Sequence, residues 1–174
     1  GELNYATGGT GSANHLGAEL FKSLAGINIV RIPYKGGAPA IIDVIAGEVH
    51  MMFPTTALGG PHVKSGRLRG LAVTSAQPSA LAPGLPTVAA AGMPGYDVTT
   101  MVGFFAPART PASIINRLNQ EIVQLLNTRA DIKQRFLDDG LEIVASSPDQ
   151  FSAVIKADIA RMAKVIKEAS IKIN

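Results

Sequence analysis

Residues 3–19 read LNYATGGTGSANHLGAE. A short apolar run, Leu3–Ala6, meets a turn of small residues. Helical spacing follows, with Leu16, Leu20 and Leu24 at i, i+4 and i+8 and Ala13 and Gly17 beside them. The stretch predicts a strand, a glycine-rich turn and a helix from Ser12 to about Ala25, ended by Gly26. The first-turn N–H groups of such a helix have no intrahelical partner, and its dipole favours an anion. Gly8, Gly9 and Gly11 let the backbone bend and a ligand come close. Ser12 suits the N-cap, and Thr10 adds a hydroxyl. His15 lies off the leucine arc, on the side of Glu19 and Lys22. The competing reading is a capped turn with a solvated histidine and no ligand.

Outward from this turn the pattern alternates. Ile29–Ile32 reads as a second strand and Ala38–Ala46 as an apolar helix capped by Gly47. Val49–Phe53 is a third strand, and Leu68–Thr74 a fourth. A weak helix spans about 56–64, opposed by Gly59-Gly60-Pro61. Strand and helix at this spacing predict an α/β fold, with a parallel-rich sheet and helices on its faces. Ser75–Asp97 carries Pro78, Pro83, Pro86 and Pro94, and reads as a crossing segment with a short helix near Val88–Ala91. Thr99–Ala106 is a fifth strand, and Thr110-Pro111 caps a helix striped by Ile114, Leu118, Ile122 and Leu125. A helix over about Ala130–Asp138 and a short strand, Leu141–Val144, follow. Ser147-Pro148-Asp149-Gln150 is a capping box that opens the last helix.

Composition narrows the function classes. Apolar residues make up 47% and charged ones 17%, so the chain can bury a core. The net charge is only +3 and aromatic residues do not interleave with Lys or Arg, which argues against nucleic-acid binding. Cysteine is absent, which removes disulfides, thiolate catalysis and Cys-ligated metals. His15, His50 and His62 are not spaced as a metal pair, so no metal site is expected. No Gly-Lys-Ser/Thr phosphate loop occurs, and the Gly-x-Gly-x-x-Gly fingerprint fails at Asn14 or Thr10. Ser12 lacks the flanking glycines of a nucleophile elbow. No cofactor and no catalytic set are indicated.

Binding chemistry is better represented. The second strand ends in IPYKGGAPA: Tyr34 offers a ring face and a hydroxyl, Lys35 a cation, and Gly36-Gly37 free N–H groups at the next helix. The third ends in MMFPTT, where Phe53 is a candidate pocket wall and Thr55 or Thr56 a candidate polar contact. Parallel sheets bind ligands at the carboxyl ends of their strands, where all three segments fall. A solvated Lys35 and a packing Tyr34 are the competing readings.

The blocks LNYATGGTGSANHLGAELFK, VRIPYKGGAPAIIDVIAGEVHMMF, GRLRGLAVTS, LPTVAAAG and GFFAPARTPASIINRLNQEI occur in this order. Together they resemble the Bug, or TctC, family, the periplasmic solute-binding receptors of tripartite tricarboxylate transporters. The resemblance implies a two-lobed, type II periplasmic-binding-protein fold and a receptor, not an enzyme, that captures a small carboxylate. It implies the transporter's membrane components as partners and the periplasm as location. It carries ligand contact to Thr7, Gly8, Gly9, Thr10, Gly11, Ser12 and His15, to Tyr34, Lys35, Gly36 and Gly37, and to Phe53 and Thr55. Residues 1–98 correspond to the second lobe and 99–174 to a crossover and C-terminal part of the first. No signal peptide is visible, so the expectation is a fragment that binds acids poorly and self-associates. The chain departs from the family in having no Trp, with Met101 and Met162 where the family has that residue. Two other classes remain open from residues alone: a phosphate- or cofactor-binding α/β enzyme domain, and an interaction module without a small ligand.

Overall fold

The computed structural model describes residues 3–169 and 171. Its sheet has three parallel strands in the order β2-β1-β3. The central strand β1 (Asn4–Thr7) pairs with β2 (Val30–Pro33), Asn4 opposite Val30 through Thr7 opposite Pro33. On its other side, Tyr5 and Ala6 face Met51 and Met52 of β3 (Met51–Met52). Helix α1 (Ala13–Ala25) joins β1 to β2, and α2 (Gly37–Ala46) joins β2 to β3.

Alternation along β1 decides which helix covers which face. Tyr5 packs with Ala18 of α1 and with Ile29; Ala6 packs with Ala40 of α2 and with Val49. Tyr5, Ala6 and Thr7 are therefore fully buried. This two-sided burial is what an apolar, parallel central strand requires. The helix ends follow the sequence. Ser12 caps α1 by accepting from the His15 N–H at 3.4 Å, and Gly26 and Gly47 take left-handed C-cap conformations.

Helix α3 (Thr56–Lys64) forms despite its glycines and Pro61. Packing explains one of them: a Cβ on buried Gly59 would stand 2.9 Å from Pro54 Cγ. The expected fourth strand, Leu68–Thr74, is absent from the sheet. Only Val73 bridges Thr87, with Val73 N–H donating to Pro86 O at 2.8 Å and Val88 N–H to Val73 O at 2.9 Å. A strand needs a continuous partner, and here the neighbour is a proline-containing loop. The short helix expected near Val88–Ala91 is a turn, in which buried Thr87 accepts from Ala90 N–H through its Oγ1 at 3.0 Å.

Tyr96 ties that irregular segment to α1. Its ring lies in a cluster with Leu20, Val98 and Val165, and its hydroxyl donates to the Gly17 carbonyl at 3.0 Å. A Cβ on Gly17 would be 3.3 Å from that oxygen.

The contacts divide the chain into two units, Gly1–Thr100 with Met162–Asn174, and Met101–Arg161. The second holds α4 (Ala112–Thr128), α5 (Ala130–Asp138) and the first part of α6 (Pro148–Glu168). Ser147 and Gln150 cap α6 reciprocally, at 2.9 and 3.2 Å, as the sequence predicts. Thr110 does not cap α4: Pro111 holds that position, with no side-chain bond. The expected strands Thr99–Ala106 and Leu141–Val144 do not form, since no described strand lies beside them. The predicted stripe on α4 exists but is open, with Ile114, Leu118 and Leu125 at 44–50% exposure. Local contacts within this unit are the Phe105–Phe151 ring pair, 5.6 Å between centroids, and Asn119 Nδ2 donating to Ser146 O at 3.0 Å.

The Tyr96 contact gives a graded prediction. Tyr96→Phe removes one buried hydrogen bond and is expected to cost about 1 kcal/mol. Tyr96→Ala also removes the ring and is expected to cost about 3–5 kcal/mol. Urea denaturation followed by circular dichroism measures both. Equal effects of the two variants would show that the hydroxyl, not the ring, carries the contact.

Candidate functional site

The turn Gly8–Ser12 leaves β1 at its carboxyl end and enters α1. Gly11 sits at φ 76°, a left-handed conformation that glycine adopts without strain. Ser12 Oγ donates to the Gly9 carbonyl at 2.8 Å while accepting from His15 N–H, and Ser12 N–H donates to the same carbonyl at 3.3 Å. These bonds close the turn on itself and leave Gly9 and Thr10 at the surface. A Cβ on Gly9 would meet nothing within 4 Å, so the space above it is open.

The second glycine turn lies against the first. A Cβ on buried Gly8 would be 3.5 Å from the Gly36 carbonyl carbon and 3.6 Å from the Gly37 nitrogen. Gly36 is the N-cap of α2 and has no side-chain cap bond. The N-terminus of α1, capped by Ser12, and that of α2, which has no side-chain cap, thus both lie at the carboxyl end of the sheet, where their dipoles favour negative charge.

The other candidates separate. Lys35 is exposed beside this junction, and Thr55 is exposed at the N-cap of α3. Tyr34 turns its hydroxyl away, donating to Asp43 Oδ2 at 2.6 Å, while its ring packs with the Ala6, Ala40 and Val49 cluster. That bond to the Asp43 carboxylate pushes the phenol up to about 12. Phe53 packs against Phe21, 5.6 Å between ring centroids, and joins the core instead of walling a pocket. Thr7 is fully buried beneath the turn. His15 is 4% exposed, which corrects the solvated reading.

His15 and its neighbours brace the turn from below. His15 Nδ1 accepts the Gly11 N–H at 3.1 Å. Arg31 of β2, which the sequence reading missed, donates through Nε to Thr7 Oγ1 and through Nη2 to Thr10 Oγ1, both at 3.0 Å. Glu19 receives the Tyr5 hydroxyl and the Lys22 ammonium, the latter at 2.9 and 3.0 Å. The i, i+4, i+7 spacing of His15, Glu19 and Lys22 was the available signal for this stripe. Burial lowers the His15 pKa, and nearby Arg31 lowers it further against the opposing pull of Glu19. Burial pushes the Glu19 carboxyl up, but the bonds from Tyr5 and Lys22 outweigh it and hold the group below its usual range. Burial, then the Glu19 contact, pushes the Tyr5 phenol up.

Among the described residues, no three His, Asp or Glu side chains are grouped to hold a metal, and no helix is long and apolar enough to cross a membrane.

The family model described as "Tripartite tricarboxylate transporter family receptor" matches residues 1–171. The chain belongs to this TctC receptor family. It is 35% identical over 174 residues to BugT of Bordetella pertussis, which covers all of this chain and 53% of that protein. It is 34% identical over 167 residues to a UPF0065 protein from the clcB-clcD intergenic region of Pseudomonas knackmussii, 95% of this chain and 98% of that one. Among solved structures, an R. palustris protein with adipate has a TM-score of 0.82 and 36% identity, covering 98% of this chain and 56% of that chain. The chain thus spans about half the length of most curated relatives it matches. The fold is that of the family's periplasmic binding proteins, α/β with a parallel sheet and flanking helices.

The braced turn of this receptor has a pH signature. The folded His15 pKa lies below its ordinary 6.5, so the unfolded chain binds a proton first as pH falls. The neutral ring's contribution is full above 6.5 and is lost as pH drops from there through the folded value. Glu19, also depressed, adds a loss of the same sign at lower pH, below its ordinary 4.5. The urea midpoint is expected to fall as pH drops below about 6.5, and His15→Gln to flatten that fall. An unchanged slope in His15→Gln would assign the loss to other groups.

Proposed function

We propose that this chain supplies a carboxylate-binding face of a periplasmic solute receptor, which passes its ligand to the membrane components of a tripartite tricarboxylate transporter. The observation that carries this reading is the contact of the two glycine turns. Gly8 lies against Gly36 and Gly37, so the turn that leads into α1 sits beside the N-terminus of α2, which has no side-chain cap. Membership in the receptor family supports it, as does the similar R. palustris protein solved with adipate. On this reading residues 1–98 are one ligand-binding lobe, and 99–174 cross back to complete the other.

Within the site, the exposed edge of Gly9 and Thr10 receives the carboxylate and Gly36-Gly37 flanks it. Lys35 attracts acids as a solvated point charge and makes no planar clamp. His15 and Thr7 hold the turn and do not touch the ligand. The receptor binds and releases without chemistry.

The magnitude follows from the parts. A helix N-terminus is worth roughly 0.3–1 kcal/mol to an anion, up to ~2 when partly buried. Millimolar affinity needs about 4 kcal/mol. This chain by itself is therefore expected to bind adipate near or above millimolar. Adipate added to the labelled chain should move the amide resonances of Gly9 through Asn14 and of Gly36 and Gly37 in NMR. Gly9→Val fills open space without straining the fold and should abolish those shifts with an unchanged circular dichroism spectrum. Shifts confined to other segments, or unaltered in Gly9→Val, would overturn the reading.

A further inference from the structure

A cavity of about 340 Å³ opens on the flank of α1, lined by Thr10, His15, Glu19, Lys22 and Arg31 together with Ala169 and Ile171. It lies below the glycine turn and shares only Thr10 with the carboxylate reading above. Its walls are donor-rich. The His15 side chain is 5% exposed, and its Nδ1 accepts from Gly11 N–H, so the neutral ring carries its proton on Nε2. That nitrogen is 3.8 Å from Glu19 Oε1, too far for a hydrogen bond. His15 lines the cavity, and its Nε2–H has no hydrogen-bond partner among the described residues.

The charges are unevenly matched. Lys22 and Glu19 neutralise each other at 2.9 Å, and Glu19 also takes the Tyr5 hydroxyl. Arg31 is half-buried and has no carboxylate partner among the described residues. Two of its five N–H groups go to Thr7 and Thr10, and the rest remain. A half-buried guanidinium gains most from a planar anion that accepts two parallel N–H bonds. The lining thus has one unmatched positive charge, a flat donor fork and a second donor on the His15 ring.

We propose that this cavity is a second anion site, which holds one small carboxylate between Arg31, the His15 Nε2–H and Lys22. The site takes a monoanion, because Glu19 already occupies Lys22 and a second negative charge would face it. A bound carboxylate joins β2, through Arg31, to α1, through His15 and Lys22, and so stiffens the support of the glycine turn. The proposal does not depend on what the turn itself binds.

The test is NMR of the whole chain with ring-labelled histidine, titrated with acetate at constant ionic strength against chloride. A saturable shift of the His15 Nε2 resonance is expected. Arg31→Gln should weaken it by about tenfold or more, the loss of a charged hydrogen-bonding group. Lys22→Met should weaken it by a smaller factor, about threefold, and it leaves the Thr7 and Thr10 braces in place. Gly9→Val, which alters the turn and no cavity wall, should leave the His15 titration as it is. If Arg31→Gln fails to fold, Lys22→Met decides: equal affinity to the parent overturns the proposal. No saturable His15 shift overturns it as well. Loss in Gly9→Val with retention in Arg31→Gln would also overturn it, and would assign the acetate to the turn. Absence of amide shifts at Gly9 with a saturable His15 shift would keep the cavity and remove the turn reading.

Discussion

The burial of β1 on both faces is the constraint from which the rest follows. Three consecutive side chains, Tyr5, Ala6 and Thr7, are fully covered, by α1 on one side and α2 on the other. While such a strand is covered, its backbone groups must be paired within the protein. It ends where Tyr34 N–H still reaches the Thr7 carbonyl, at 2.9 Å, and the next residue must turn within covered space. Gly8 does this against the backbone of Gly36 and Gly37. The same packing that buries β1 therefore places one helix N-terminus beside another.

Burial also creates a polar demand beneath the turn. Thr7, His15 and most of Glu19 are out of water, and each needs partners. The chain meets this with bonds that run to the end of β1, to the turn or to α1: Arg31 to Thr7 and Thr10, His15 to Gly11, Tyr5 and Lys22 to Glu19. An exposed ion pair would contribute little. Here the Glu19 side chain is 11% exposed and Lys22 20%, so removing one partner would leave an uncompensated charge in poor solvent. The network fixes the geometry of the turn above it.

Much of this was legible in the residues. The strand, turn and helix at Leu3–Ala25, the caps at Ser12, Gly26, Gly47 and Ser147, and both glycine turns follow from spacing and cap chemistry. What failed has two physical causes. Strand patterns at Leu68–Thr74, Thr99–Ala106 and Leu141–Val144 describe side chains, whereas a strand exists only beside a partner, which pattern alone does not supply. Side-chain direction was the other gap. Tyr34 and Phe53 sit at the ends of strands near the turns, but a hydrogen bond to Asp43 and a ring contact with Phe21 point them into packing. Arg31 went unseen because its partners, Thr7 and Thr10, are over twenty residues away in sequence.

A cradle of backbone amides and helix dipoles reads charge and little else. Amide donors are alike whatever residue bears them, and the dipole's pull falls off within a turn of helix. Such a cradle accords with the proposed function, in which the ligand is an acid, and does not by itself name the acid. Discrimination among acids is a difference of affinities and needs side chains that fit one and oppose another. Around the turns of this chain the exposed side chains are those of Thr10, Lys35 and Thr55. Those below are held in place: Tyr5 by Glu19, His15 by the Gly11 N–H, and Arg31 by Thr7 and Thr10. On the proposed function, exchange at the first three positions is expected to alter which acid is held, and exchange beneath the turn how firmly any acid is held.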